Sequence, residues 1–272
     1  MTISDQRKKG GLFPALLKYW RGSRGLSQLD LALSADVSAR HVSFLETGRS
    51  APSREMVLRL GAALQVPMRH QNEMLVAADF EPQFDEPDPA TGLSGPIAHA
   101  LERMMAQHEP FPLAVMNKRY DVLQTNRGGQ ALLTRFIASP AELTTPVNAC
   151  RLLLDPAGAR PFVKDWERAA KMMIARPHRE ALTQPQDSAL ADLVDSLTSL
   201  PDVPEAWRQP DFSMPAEPVF TLRLERDGLE LAFLTTLTVF SAPQNVTLEE
   251  LQIESYYPLD EATERACREA LG

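Results

Sequence analysis

The chain has 272 residues, 44% of them apolar, which excludes a protein that is disordered as a whole and leaves enough length for two hydrophobic cores. Its net charge of −8 is unevenly divided, because residues 1–80 carry 11 basic and 7 acidic side chains while residues 81–272 carry 17 and 29. Two distant cysteines, Cys150 and Cys267, exclude a disulfide framework. Residues 1–13 lack the apolar run of a signal peptide, and nowhere do about 18 apolar residues follow one another, so we expect a soluble, cytoplasmic protein without membrane contact.

The first 80 residues are predicted to be all-α, with five helices near 12–23, 28–34, 39–46, 54–64 and 68–78. Ser27 and Ser38 each precede a helical run, and their hydroxyls can accept hydrogen bonds from the free amides of the first turn. Between the second and third helices, Asp36 tolerates the left-handed backbone of a tight turn. The expected core consists of Leu31, Val37, Val42, Leu45, Val57, Leu60 and Leu64.

Two short helices joined by a three-residue turn form a helix-turn-helix, which places its second helix in the major groove of DNA. The segment from Leu26 to Ser53 resembles the DNA-binding domain of the XRE (Cro/C1-type) repressor family. The resemblance rests on Gln28, Leu31, Ala32, Val37, Ser38, Val42, Leu45, Glu46 and Gly48. The family usually has glycine at the position of Asp36. In the family, the positions of Arg21 and Glu46 often form an ion pair, which implies a structural role for both.

The leading end of the second helix is expected to meet base edges of double-stranded DNA. Arg40 is the principal candidate, because a guanidinium can donate two hydrogen bonds to O6 and N7 of guanine. Ala39 can contact a thymine methyl group, and Gln28 can contact a phosphate or an adjacent base. Further candidates for base or phosphate contacts are Ser38, His41, Ser43, Arg49, Ser50 and Arg54. For an exposed arginine such as Arg49, the alternative is a solvated charge.

A linker is predicted over residues 81–95, because its prolines and acidic side chains cannot sustain a helix or a central strand. This prediction divides the chain into a helix-turn-helix domain at 1–80 and a second domain at 96–272. The basic excess of the first domain suits contact with phosphates. The acidic excess of the second discourages nonspecific binding to DNA.

The second domain has an α+β pattern. β-like runs at 111–116 and 120–125 are separated by the polar turn of residues 117–119, and a helical pattern at 129–136 follows. Helical patterns at 160–176 and 190–197 come next, and then β-like runs at 219–226, 229–240 and 248–257. Asp227 and Gly228 predict a hairpin turn between two of these runs. The order predicts a PAS-like fold with an antiparallel sheet of about five strands.

Residues 112–126, 155–170, the region of Trp207 and residues 254–263 resemble the MmyB-like ligand-binding domain that follows XRE helix-turn-helix domains. The resemblance implies a pocket for a small apolar ligand, with fatty acids and acyl-like compounds as the leading class. Candidate pocket residues are Met116, Asn126, Trp166, Met173 and Phe233. For the methionines the alternative is ordinary core packing, and for Asn126 it is a helix cap. Arg127, Arg160 and Arg168 are candidate anchors for a carboxylate, with solvent exposure as the alternative.

The sequence contains no zinc-ligand spacing, nucleophile elbow, phosphate-binding loop or dinucleotide fingerprint, so we expect no catalysis, no metal and no cofactor. It predicts a transcriptional regulator whose C-terminal domain senses an apolar ligand and modulates operator binding. Symmetric dimerisation places two recognition helices on successive turns of DNA, so we expect a homodimer on a pseudo-palindromic operator. The alternative is a C-terminal domain that serves only dimerisation or the binding of a protein partner.

Overall fold

The computed structural model describes residues 11–89, 93, 95–183, 188–209 and 220–271, and these fall into two compact units. The first unit comprises residues 1–87 and 241–249, and the second comprises residues 88–240 and 250–272. The predicted division placed all of 96–272 in one domain, whereas residues 241–249 pack in the first unit. The predicted start of a strand at residue 219 lies outside the described residues. None of the described helices is both long and apolar enough to cross a lipid bilayer.

Residues 11–89 form five helices where the sequence predicts them, and serine side chains cap the start of three of these helices. The hydroxyls of Ser27 and Ser38 accept hydrogen bonds of 3.1 Å from the amides of Asp30 and His41. Asp36 has a φ of 53°, which confirms the left-handed turn. The helices are α1 Leu12–Ser23, α2 Gln28–Ser34, α3 Ala39–Glu46, α4 Arg54–Ala63 and α5 Met68–Ala77.

The apolar faces of these helices meet in one core, which stabilises segments that are too short to be helical alone. Trp20 of α1 is almost completely buried there. Val37 lies half-buried at the edge of this core. The other predicted core residues are all buried, namely Leu31, Val42, Leu45, Val57, Leu60 and Leu64.

A bidentate ion pair joins α1 to the end of α3, as the family resemblance implied. Arg21 Nε donates to Glu46 Oε1 at 2.6 Å, and Nη2 donates to Oε2 at 3.1 Å. Arg21 also donates to the Leu26 carbonyl, and Gln28 Nε2 donates to Glu46 Oε2 at 2.7 Å. Burial favours the neutral form of Glu46, but the hydrogen bonds from Arg21 and Gln28 outweigh it and hold the carboxyl pKa below its usual range.

The second unit is built on a five-stranded antiparallel sheet with the order β2-β1-β5-β4-β3. The strand that comes last in the sequence therefore lies at the centre. Asp227 and Gly228 have φ values of 53° and 81°, so the predicted hairpin turn is confirmed. The strands are β1 Leu113–Met116, β2 Val122–Thr125, β3 Phe220–Arg226, β4 Leu229–Val239 and β5 Gln252–Pro258.

Helices cover both faces of this sheet. α6 (Gly95–His108), which the sequence analysis did not predict, packs Leu101 against Leu113, Val115 and Ile253. The larger core lies on the opposite face, which we call the inner face, and contains Phe136, Leu154, Ala170 and Phe233 among others. The helices of this core are α7 Arg127–Phe136, α8 Ala149–Leu154, α9 Trp166–Thr183, α10 Ser188–Thr198 and α12 Glu261–Leu271, and α11 Val246–Glu250 precedes β5.

The predicted helix at 160–176 begins later than expected and ends later. Residues Arg160–Phe162 form a 3-10 turn, and α9 starts only at Trp166. Val163 forms a β-bridge with Leu224, and the Lys164 amide donates to the carbonyl of residue 223 at 2.9 Å. Pairing with β3 therefore overrides the helical pattern of this segment.

The predicted strand at 248–257 begins four residues later than expected. The Asn245 side chain accepts a 2.9 Å hydrogen bond from the Leu248 amide, which starts the helical turn of α11. β5 begins at Gln252, where the chain reaches β1 and β4. A side-chain cap therefore decides this boundary.

Two adjacent glycines allow the start of α7 to approach the chain around β1. A Cβ atom on Gly128 would lie 2.4 Å from the Pro110 carbonyl oxygen, and one on Gly129 would lie 1.9 Å from Thr125 Oγ1. The Asn126 side chain caps the helix by accepting a 2.8 Å hydrogen bond from the Gly129 amide. α7 is thereby held against the sheet, where it forms one wall of an internal cavity.

Glu46→Gln is expected to lower the free energy of unfolding of the first unit by about 2 kcal/mol, because the partly buried Arg21 loses its counter-charge. The matched control is Glu55→Gln, since Glu55 and Arg59 form an exposed pair whose loss costs less than about 0.5 kcal/mol. Hydrogen exchange of peptides within residues 12–64 measures both effects.

The folded state lowers the Glu46 pKa, so the stabilisation is complete above the unfolded pKa of about 4.3 and is lost as pH falls through the folded pKa. The difference between the unsubstituted protein and Glu46→Gln should therefore shrink in acid. Equal protection of the two proteins at neutral pH would show that the pair does not stabilise the unit.

Candidate functional site

The first unit presents one side of α3 to solvent. Val42 and Leu45 turn the opposite side of the helix into the core, and Ser38 caps its first turn. Arg40 is exposed at the second position of the helix. Three further side chains predicted to contact bases are half-buried on α3, namely Ala39, His41 and Ser43. Packing against the core therefore fixes the position of α3 and of the side chains on its exposed side.

Phe44, which the sequence analysis did not select, lies between two of the predicted arginines. The guanidinium carbons of Arg40 and Arg49 lie 5.2 Å and 5.9 Å from the centre of its ring, which is within cation–π range. The amides of Arg49 and Ser50 both donate to the Phe44 carbonyl, at 2.9 Å and 3.3 Å. The spacing of four residues between Arg40 and Phe44 is the sequence signal for this contact.

Two predicted DNA contacts are engaged within the protein. Gln28 donates one amide hydrogen to Glu46 and retains a second hydrogen and its carbonyl oxygen. Arg54 donates to the carbonyls of Glu81 and Pro82 at 2.9 Å and 3.3 Å, and to Gln83 Oε1 at 2.8 Å. The backbone carbonyls of this proline-containing segment have no helical partner, so they accept hydrogen bonds from the guanidinium. In this structure the guanidinium of Arg54 is therefore bound to the segment after α5.

The first part of the predicted linker is held on the first unit. Asn72 of α5 donates to the Phe84 carbonyl at 2.7 Å, and its side-chain oxygen accepts from the amides of Gln83 and Phe84 at 2.9 Å and 3.0 Å. Arg69 forms an ion pair with Glu86. Residues 81–87 are therefore an ordered extension of this unit.

Residues 241–249, which we call the connector, join β4 to β5 and also belong to the first unit. The Val246 amide donates to the carbonyl of residue 85 at 2.9 Å, and Thr247 Oγ1 donates to the Pro87 carbonyl at 2.6 Å. Glu249 Oε2 accepts a 2.7 Å hydrogen bond from the Met68 amide at the start of α5. Polar contacts thus hold the connector to both α5 and the segment that follows it.

A cavity of about 80 Å³ lies on the inner face of the sheet in the second unit. One water needs about 10–15 Å³ of such space, so the cavity accepts a small apolar group as it stands. Its walls are mostly apolar and come from strands β1, β2, β3 and β5 and helices α7, α8 and α9. They include Met116, Leu132, Phe136, Leu153, Met173 and Leu222.

The structure brings two of the five predicted pocket residues, Met116 and Met173, to this cavity. Asn126 lies outside it, because its side chain is the cap of α7 and also accepts from the Leu113 amide at 2.9 Å. Asn126 therefore takes the alternative role that the sequence analysis left open.

The predicted aromatic pocket residues, Trp166 and Phe233, also lie outside the cavity lining. The indole Nε1 of Trp166 donates to the Leu153 carbonyl at 2.9 Å. The ring of Phe233 is completely buried, with its centre 5.9 Å from that of Tyr256. Both aromatic side chains therefore build the core that surrounds the cavity.

Glu254 and Tyr256 of β5 are the ionisable groups among the described residues that line the cavity, and we call this part of the lining its polar end. Glu254 is 6% exposed, and its Oε2 accepts a 3.1 Å hydrogen bond from the Tyr256 hydroxyl. It stands opposite Ala114 of β1 and Leu237 of β4 on the central strand. Burial raises the pKa of the Glu254 carboxyl above its usual range, although the Tyr256 hydrogen bond and the charge of Arg176 act against this.

Glu254 is not among the predicted pocket residues, although the sequence contains a signal for it. Strands that are covered on both faces carry few acids, so a glutamate within a predicted strand already marks an unusual position. The sequence does not show that β5 is central or that its glutamate faces a cavity.

None of the three arginines predicted to anchor a carboxylate lines the cavity. Arg127 and Arg168 are exposed. Arg160 donates to the Pro201 carbonyl at 2.6 Å and stacks on Trp166 at 3.9 Å. The cation that acts on Glu254 is instead Arg176 of α9.

Two family models match successive parts of the chain. Residues 97–270 match the family model of the MmyB-like transcription regulator ligand binding domain, and residues 17–71 match that of a helix-turn-helix. The first of these descriptions names a transcription regulator. No curated protein matches the chain. Among the described residues, no group of three or more His, Cys, Asp or Glu side chains could hold a metal ion.

One solved structure, described as the structure of an RNA-binding light-oxygen-voltage receptor, is 14% identical, with a TM-score of 0.28. The alignment covers 99% of this chain and 66% of the receptor, so the chain spans just under two thirds of that protein. A TM-score this low carries no argument about fold or function. The ligand-binding match, by contrast, spans well over half of the chain and follows a helix-turn-helix, and the chain therefore belongs to the MmyB-like transcription regulators.

Proposed function

We propose that this protein regulates transcription in the cytoplasm by binding a specific DNA sequence, and that a small apolar ligand in the second unit modulates that binding. The observation that carries the DNA-binding part is the pair of arginines at Phe44, with Arg40 on the exposed side of α3 and Arg49 in the turn that follows the helix. A helix with its opposite side in the core and cations on its free side suits the major groove.

In this proposal, Arg40 reads guanine, and Ala39, His41 and Ser43 contact neighbouring base edges or phosphates. The phosphate contacts come from Gln28, Ser38, Arg49 and Ser50. Arg54 is left out, because its guanidinium holds the segment after α5.

The ligand is proposed to be a fatty acid or an acyl-like compound bound in the cavity of the second unit. The supporting observation is the combination of mostly apolar walls with one polar end, which orients an amphiphile. The order of the strands, with β5 between β1 and β4, supports the PAS-like interpretation of this sensor domain. Membership in a regulatory family favours binding without catalysis.

The connector offers a physical route from ligand to DNA. Its residues belong to the first unit, yet they join two strands of the sheet in the second, and β5 contributes Glu254 to the cavity. A ligand that shifts β5 therefore changes the tension on the connector and on α5. Such coupling requires a difference in ligand affinity between two states of the protein.

We also propose that two copies bind DNA as a symmetric dimer. A single α3 of eight residues reaches the few base pairs of one half-site. Two such helices on one face of DNA require half-sites about 10 base pairs apart, centre to centre. Duplexes selected from random sequence by the protein should accordingly contain an inverted repeat.

Arg40→Ala is expected to lower the affinity for such a selected duplex by about 10- to 100-fold, and to relax the preference at one base pair of each half-site. Arg59→Ala is the matched control, because Arg59 is bound to Glu55 on α4 and should leave the affinity unchanged. Fluorescence anisotropy at fixed salt measures both. An Arg40→Ala protein that keeps full affinity and selectivity would exclude α3 as the reading helix in this orientation.

Protein purified under native conditions and then denatured is expected to release an apolar compound that mass spectrometry detects, since a mostly apolar cavity retains such ligands. Adding back the compound should raise the Tm of the delipidated protein and change its affinity for the selected duplex. If nothing is released and no acyl compound raises the Tm, the second unit serves dimerisation or a protein partner instead.

Thr247→Val is expected to weaken the coupling between ligand and DNA, because it removes the hydrogen bond from the connector to Pro87 without changing side-chain shape. Affinity for DNA without ligand should stay the same, while the ligand-induced change in affinity should fall at least about threefold. Thr238→Val, at an exposed position of β4, is the matched control. If the ligand changes the DNA affinity of Thr247→Val as much as that of the unsubstituted protein, the hydrogen bond from Thr247 to Pro87 does not take part in the coupling.

A further inference from the structure

The polar end of the cavity contains acids but no base. Among the described residues that line the cavity, Glu254 and Tyr256 carry the ionisable groups, and none is lysine, arginine or histidine. The nearest cation acting on Glu254 is Arg176, whose Nε lies 3.4 Å from Glu180 Oε1 and whose Nη2 donates to Gln252 Oε1 at 3.2 Å. The charge of Arg176 is thus engaged outside the cavity.

A ligand carboxylate at this end would stand beside a second acid, and Arg176, the cation that acts on Glu254, is already bound to Glu180 and Gln252. Removing an ionised carboxylate from water is costly unless it is paired, and two adjacent acids ionise together only at a further cost. A hydroxyl or an amide carries no such cost. Either group can exchange hydrogen bonds with the Glu254 carboxyl and the Tyr256 hydroxyl, whichever protonation state they have.

We propose that Glu254 and Tyr256 bind the head group of the ligand, and that the ligand is an uncharged amphiphile, an apolar chain that ends in a hydroxyl or amide group. This inference rests on the proposed function and narrows its ligand class from acyl compounds in general to their uncharged members. Fatty acids then bind only together with a proton.

The surroundings of Glu254 agree with this assignment. Its neighbours are Tyr256 on its own strand, Thr235 on β4, Arg176 on α9 and the buried thiol of Cys150 on α8. Burial raises the pKa of Glu254, and it also raises the pKa of the Tyr256 hydroxyl and of the Cys150 thiol. The neutral forms of these groups are favoured around the cavity.

Three probes of equal chain length test the inference on the full chain: octanol, octanamide and octanoate. Isothermal titration at about pH 8 should show octanol and octanamide binding at least about tenfold more tightly than octanoate. At about pH 6 the difference in affinity between octanoate and the two uncharged probes should become smaller, because octanoate and Glu254 can then share a proton. Octanol binding should not change over this range.

Glu254→Gln should reduce the difference between octanol and octanoate at about pH 8 to within about threefold, because it removes the second acid but keeps the side-chain shape. Tyr256→Phe removes the hydroxyl and should weaken the binding of octanol and octanamide. This variant provides a second measurement if Glu254→Gln does not fold. Met173→Leu, in the apolar wall, is the control and should change all three affinities by the same factor.

Tighter binding of octanoate than of octanol in the unsubstituted protein would overturn the inference and leave the proposed function standing. Loss of that octanoate binding in Arg176→Gln would identify Arg176 as the anchor instead. If none of the three probes binds, the cavity is not a ligand site, and the ligand-sensing part of the proposed function fails with the inference.

Discussion

The central place of β5 in the sheet is the constraint on which most of the second unit depends. The strand lies between β1 and β4, so its backbone groups are paired on both sides and neither neighbour has a free edge there. Since β5 is the last strand in the sequence, the chain must return from β4 through the connector to reach it. One strand therefore closes the sheet, brings Glu254 to the cavity and is tied to the segment that packs in the first unit.

In the first unit, contacts with the core and with α1 hold the short helix α3 in place while one of its sides stays exposed. α3 is too short to be stable alone, and its core residues fix only one of its sides. The Arg21–Glu46 pair fixes its far end to α1, and the Ser38 cap fixes its start. Arg40 of α3 and Arg49, which follows the helix, both lie within cation–π range of Phe44. Glu46 therefore holds the helix in place, while Arg40 lies on its exposed side.

The second unit combines a mostly apolar cavity with the buried acid Glu254, and none of the described residues that line the cavity is a base. A site for a carboxylate is normally built on arginine or lysine, and every arginine the sequence offered for that role is either exposed or bound elsewhere. The cost of burying Glu254 is acceptable where its neutral form meets hydrogen-bonding partners. In the proposal made above, this buried acid selects for the absence of charge in the ligand.

Local chemistry allowed the sequence to predict the five helices of residues 11–89, the left-handed Asp36, the Asp227–Gly228 hairpin and the Arg21–Glu46 pair. Each depends on neighbours in the chain or on the spacing of a known motif. The tertiary structure alone decided that residues 241–249 join the first unit, that Arg54 binds the segment after α5, and that Glu254 faces the cavity. These outcomes depend on contacts between residues that are distant in the sequence, and the periodicity of the sequence does not specify such contacts.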